Sequence, residues 1–357
     1  NGAVSLAVNR TRADTFVGQG VTLHAGELSL DADVDSHAKA YILSVALGAG
    51  AAVNLSAGVA IVAPTVLTYI GKTPGDREGK DGAASDNKGK VTAPKVTVKN
   101  DVTSTASPTI LSLAIGSAAI SGNVLLVFNK TDAVAGITGA NVEATTSILI
   151  DALMDSTAES KLAAASAGSI AIGFSVSYVH LRSNNQALID TTGATVSSNV
   201  IEVYAGRPDN RNTATAVAHA VTGNLGAVTV GINAAIADND ARNLADIMGN
   251  GTLMATTRLD LYAYGKATAE AEILGVSVSA IDIAASFAVA VLRSRQEAVL
   301  SGGHVTAGSV TAKSYLNSED ASSNTATGRL NIGGGVIKVA SAYVNVAVAY
   351  GRSASVA

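Results

Sequence analysis

The stretch LHAGELSLDA, residues 23–32, keeps returning along the chain. A chain that copies itself is read as a stack of units before any local structure is assigned. The later copies are APKVTVKN (93–100), ATTSILIDA (144–152), SNVIEVYA (198–205), TTRLDLYA (256–263) and AGSVTAKS (307–314). One apolar position anchors them: Leu28, Val96, Ile148, Ile201, Leu259 and Val310, at spacings of 68, 52, 53, 58 and 51 residues. The long first gap holds a polar insertion. A second ladder, about twelve residues upstream in most copies, runs through Phe16, Tyr69, Val134, Leu188, Ile247 and Val299. Together they predict about six tandem repeats of roughly 53 residues in one continuous domain, 1–357. The repeats fall at approximately 3–56, 57–121, 122–173, 174–229, 230–283 and 284–340, with a partial copy at 341–357.

Within each copy the period is two, the mark of a strand. AVSLAVN (3–9) alternates in this way, and so do Val124–Phe128, Phe174–Leu181 and Phe287–Leu292. Most of these runs lead into a short polar step such as NKTDA, RSNNQ or DNDAR. Val, Ile and Thr favour pleated, half-buried surfaces. The reading is therefore strands of four to eight residues joined at Gly, Asn and Asp turns, with helical turns allowed only at Leu162–Ala167 and Ala267–Ala271. A unit that cannot bury its own apolar face must stack on its neighbours. The expected fold is all-β: a parallel β-solenoid (β-helix). A repeat this long is either two or three slim coils or one wide one, and both remain open.

Long segments of small residues recur, among them Ala40–Ile70, Thr109–Phe128 and Leu162–Val179. Twenty uncharged residues would suit a membrane helix. The frequent Gly and Ser and the period-two alternation point to strands instead. Both faces of these strands carry small or apolar residues, which predicts cover on both faces. They read as an inner layer first and a lateral assembly surface second. Charged residues make up only 15% of the chain, against about 25% in ordinary domains. Net charge is −4 with basic residues scattered, which excludes a nucleic-acid stripe. There is no Cys, so disulfides and thiolate chemistry are excluded.

Residues 73–89, TPGDREGKDGAASDNKG, carry seven charges and four Gly and read as an inserted surface loop. Arg12, Lys130, Arg182, Arg242, Arg293 and Arg352 occupy the polar steps and are expected along one charged edge. Asp31, Asp33 and Asp35 (DADVD) are the candidate metal ligands: on a strand, i, i+2 and i+4 share a face, and oxygen ligands suit Ca²⁺. No catalytic or cofactor-binding residue is assigned. His24, His37, His180, His219 and His304 fall at unrelated phases, and GGG at 333–335 lacks phosphate-loop spacing.

NVLLVFNKTDAVAGITGANVEATTSILIDA (123–152) and INAAIADNDARNLADIMGNGTLMATTRLDLYA (232–263) resemble repeat-rich bacterial surface proteins of the filamentous-adhesin, leukotoxin-like type. The resemblance covers essentially the whole chain. It implies an exported or cell-surface protein with a structural or adhesive, non-enzymatic role, and it transfers no catalytic residue. The expected partners are further copies of itself, end to end or laterally, and host or matrix glycans or proteins. Nucleic acid is not expected, and membrane contact is expected only through an anchor outside this chain. The alternatives are a glycan-binding or glycan-cleaving β-helix and, by analogy with the family, a membrane-active toxin segment.

Overall fold

The computed structural model describes residues 1–74, 89–207, 212–316, 325–332 and 337–356. They form strands and turns, with no helix among the described residues. The first repeat supplies β1 (Gly2–Asn9), β2 (Arg12–Gly18), β3 (Thr22–His24), β4 (Leu28–Ala38) and β5 (Tyr41–Leu47). The second supplies β6 (Ala51–Val62), β7 (Thr65–Gly71), β8 (Lys90–Ala106) and β9 (Thr109–Ile115). β10 (Ala118–Thr138) and β11 (Asn141–Ala167) make the third. The fourth holds β12 (Ile170–Asp190), β13 (Thr195–Ala205) and β14 (Thr213–Leu225), and the fifth holds β15 (Val228–Met248) and β16 (Thr252–Val278). β17 (Ile281–Leu300), β18 (His304–Ala307), β19 (Val310–Leu316) and β20 (Thr325–Ile332) follow, then β21 (Ile337–Val356).

The first half of each repeat enters one sheet and the second half enters another. Sheet A runs β1-β6-β10-β12-β15-β17-β21, with β2 and β7 extending its first two rows. Sheet B takes the rest. Every pairing is parallel, and every pairing joins neighbouring repeats. β13 and β14 lie end to end between the long strands β11 and β16, so these four close a circuit of pairings in sheet B. Each repeat thus contributes strand to both sheets.

The anchored column is a ladder of direct partners: Leu28↔Val96, Val96↔Ile148, Ile148↔Ile201, Ile201↔Leu259 and Leu259↔Val310. Its four central members are fully buried between the sheets. The second ladder is corrected at two places. The register runs Phe16, Tyr69, Gly136, Leu188, Asp246 and Val299, not through Val134 and Ile247. Ile247 faces inward, in the buried column of Ile70, Ile137 and Ile189, so it cannot share a face with Leu188.

The strands are also longer than expected, up to 27 residues in β11 and β16. The polar steps do not break them, because their inward side chains are bonded between the sheets. Asn129 Nδ2 donates to the Ser104 and Thr157 carbonyls at 3.2 and 2.9 Å, and Thr131 Oγ1 donates to Ser104 Oγ at 2.7 Å. Both Ala-rich patches allowed a helical turn are strand, within β11 and β16.

Packing changes along the strands. Near one set of turns the interior holds Ile, Val and Leu. Mid-strand it is mostly Ala with Val and Leu. Near the opposite turns it turns polar, with Ser44, Asn54, Ser112, Asn123, Ser175 and Asn233 all buried. The small-residue segments are therefore not an inner layer covered on both faces. Their alternate residues are exposed, including Leu43, Leu47, Leu55 and Phe174. These segments bend at Gly-containing turns stacked in a column. A Cβ on Gly168 would overlap the Gly116 carbonyl oxygen.

Column burial sets the energetic ranking. Ile201→Ala, at a fully buried position, is expected to destabilise by about 2–5 kcal/mol. Val310→Ala, at a position 46% exposed, is expected to change stability by about 0.5 kcal/mol or less. Gly168→Ala, forcing a methyl against backbone, is expected to cost ~1–3 kcal/mol. Urea unfolding followed by circular dichroism gives all three.

Candidate functional site

The polar steps place charge on the outer face of sheet A. Lys130 pairs in register with Arg182, and Arg182 with Asp240. Two residues further on, Arg12, Thr65, Asp132, Asn184, Arg242 and Arg295 form the adjacent column, with Arg352 at its end. The six expected edge residues therefore occupy two neighbouring columns of one face. Arg10, not Arg12, falls beside Lys130 and Arg182.

Those three cations surround a recess of about 480 Å³ floored by Phe128 and Ile61 and flanked by His180. Lys130 is 3.9 Å from Asp132, a loose pair. The neighbouring charges are spoken for. Both carboxylate oxygens of Asp238 accept from Arg293 at 2.7 Å, and Oδ2 is also hydrogen-bonded to His180 Nδ1 at 3.1 Å. Arg12 is held by Asp14 at 2.8 Å, and Arg242 by Glu297 at 3.1 Å. Chemically the recess suits an anionic group held by charge-assisted hydrogen bonds. His37–Asp35, His180–Asp238 and His219–Glu272 are imidazole–carboxylate pairs. Among the described residues none of these imidazoles is hydrogen-bonded to a Ser or Thr hydroxyl.

Asp31, Asp33 and Asp35 do share an exposed face of β4. They do not converge, because residues two apart on a strand are separated by about 7 Å. Asp31 lies 4.0 Å from Lys99, and Asp35 is bonded to His37 at 2.8 Å. No group of three His, Asp or Glu among the described residues is placed to hold a metal ion. Of the inserted 73–89 segment, residues 75–88 lie outside the described residues, as does the GGG at 333–335.

Sheet B carries a row that the sequence reading missed. Tyr204 and Tyr262 stack with centroids 5.4 Å apart, Tyr262 and Tyr264 at 5.9 Å, and Tyr264 and Tyr315 at 4.7 Å. The signal was present: Tyr204 and Tyr262 hold the same phase of IEVYA and LDLYA. Burial, with Glu202 and Asp260 nearby, pushes the Tyr204 phenol well above its usual range. Arg258 bridges those carboxylates at 2.5 and 3.3 Å. Beside the row, buried Asp151 takes a two-pronged contact from Arg207 at 2.7 and 3.1 Å. Burial raises the Asp151 pKa, and Arg207 opposes that rise. The rings stack on one another, so this row is a packing device between repeats.

No family model, no curated protein and no solved structure matches this chain.

The outer face of sheet A also yields a pH test. Burial raises the Asp246 pKa, Arg242 draws it down, and one carboxylate oxygen has no hydrogen-bond partner. A raised folded pKa favours folding below the unfolded value, and that contribution is lost as pH rises through the folded value. Asp246→Asn is therefore expected to raise the melting temperature at pH 7. The gain should vanish below about pH 4, where the wild-type carboxyl is protonated in both states. A melting series from pH 3.5 to 8 checks the sign.

Proposed function

We propose that this chain is a structural and adhesive, non-enzymatic element of a bacterial surface or secreted filament, built as a parallel β-solenoid of stacked copies. One observation carries the reading: the strands of each inner repeat are paired with the copies before and after, and among the described residues no strand pairs within its own repeat. Such a body lengthens by adding like units without any new kind of contact. β1 and β21 each pair on one side. Their free edges are templates for another strand, in the same polypeptide or a second one. The absence of Cys agrees with a surface protein that holds together by backbone pairing and burial alone.

Negative-stain electron microscopy over a concentration series tests this. Rods of uniform width that lengthen with concentration are expected. Leu6→Pro removes a β1 N–H and should shorten them. Single particles of one length at every concentration, unchanged by Leu6→Pro, would remove self-stacking from the proposal.

A further inference from the structure

The two long edges of the body differ in chemistry. Along one, the turns carry Asp190, Asn141, Asn250 and Lys72. Along the other, the turns at 48–50, 116–117, 168–169, 226–227 and 279–280 contain only Gly, Ala and Ser. Their amides are already bonded from copy to copy: Gly48 N–H to the Ile115 carbonyl at 2.9 Å, Gly116 to Ala167 at 3.0 Å, Gly168 to Leu225 at 2.9 Å and Gly226 to Val278 at 3.0 Å. The first amide of each of these four turns is therefore satisfied without water.

Polarity is inverted around it. The outward positions are apolar on both sheets. Leu43, Leu47 (72% exposed), Leu225 and Val278 lie on sheet B; Leu55 (54%), Phe174, Ile232 and Phe287 lie on sheet A. The inward positions of the same strands mix Ser and Asn, among them Ser44, Asn54, Asn123 and Asn233, with Ala and a small cluster of Ile42, Ile110, Leu125 and Leu162. On sheet A the apolar zone spans the five strands β6, β10, β12, β15 and β17 over about nine residues. By ordinary strand spacing and rise that is on the order of 700 Å². The largest apolar patch on a typical monomer is about 300–600 Å². From 273 to 290 the one charge is Asp282, which points inward and accepts from Thr229 at 2.6 Å.

The zone also has a charged rim. On sheet A it ends at Phe128, Tyr178 and His180, then at Arg10, Lys130 and Arg182. Aromatic rings followed by unlike-charged partners for acidic headgroups mark a boundary between hydrocarbon and water. A second copy laid on sheet A would leave sheet B and the turns uncovered. A bilayer covers both faces and the edge between them.

We infer that this glycine-turn edge is a lipid-docking wedge that seats in an anionic bilayer. The apolar zone of sheet B is about five residues deep, roughly 16 Å. That is close to one leaflet of a hydrocarbon core about 30 Å thick. The zone on sheet A is longer, so the body enters inclined, sheet A toward the membrane, with Arg10, Lys130 and Arg182 meeting the headgroups. β1 and β21 bring unpaired backbone only to the two ends of the row.

The chain has no Trp, so Leu47→Trp adds a lone indole at the edge. With vesicles of phosphatidylcholine and phosphatidylglycerol at 3:1, the inference expects co-flotation, a blue-shifted indole and quenching by brominated acyl chains. Leu55→Asp on sheet A and Leu225→Asp on sheet B should each weaken binding about tenfold or more. Lys130→Glu with Arg182→Glu should remove the preference over pure phosphatidylcholine, and Val310→Asp, outside the zone, should change nothing. Circular dichroism confirms folding of each variant. No flotation with an unshifted indole overturns the inference. So does a lipid-free dimer, seen by sedimentation, that Leu55→Asp dissolves and Leu225→Asp does not, since the occupant of sheet A is then a second copy.

Discussion

Everything in this molecule depends on parallel hydrogen bonding between one copy and the next. Among the described residues no repeat contains a strand pair of its own, so none can satisfy its backbone alone. A strand whose N–H and C=O groups are buried unpaired is costly, and that cost enforces the stacking. It also explains why spacing can vary. Leu28 to Val96 spans 68 residues and Ile148 to Ile201 spans 53, yet both are register partners. In the long spacing the register runs to Gly71 and resumes in phase at Lys90.

Side chains inside the stack sharpen the register. Asn185 Nδ2 donates to Asn212 Oδ1 at 3.2 Å, Asn212 Nδ2 to Asn243 Oδ1 at 2.5 Å, and Asn243 Nδ2 to Gln296 Oε1 at 2.7 Å. This amide chain crosses from sheet to sheet. A slip of one residue would turn each amide outward and leave its partner unsatisfied. Asn212 holds its place with φ of 134°, a left-handed conformation costly for a residue other than Gly. The bonds it makes to Asn243 and to the Tyr264 carbonyl offset that strain.

Polarity is arranged in bands across the strands. An Ile and Val core lies under the polar turns, Ala fills the middle, and Ser and Asn lie under the glycine turns. Apolar burial is strongest at one edge, where the column through Ile201 sits. At the other edge a smaller cluster of Ile42, Ile110, Leu125 and Leu162 joins the backbone ladders and inner hydrogen bonds, and most of the larger apolar side chains face out. The basic recess around Arg182 lies where these outer regimes meet. Scaffold and contact surface therefore use the same strands at different points of their length.

The repeat and its central column were legible in the sequence, since period two and a recurring apolar anchor survive any local irregularity. The parallel, all-β character followed from the same pattern. Strand length was not legible: Asn129 and Thr131 look like turn residues until Ser104, from the facing sheet, is brought against them. The DADVD run shows why shared facing is not convergence, since Asp31, Asp33 and Asp35 stand in a row and not around a point. Alternation separates the two faces of a strand without saying which is covered. At Leu43–Ala46, Leu and Val alternate with Ser and Ala, and sequence alone determined that the faces differ. Tertiary structure decided that Ser44 goes in and Leu43 out, because the side facing the second sheet is set by how the repeats stack.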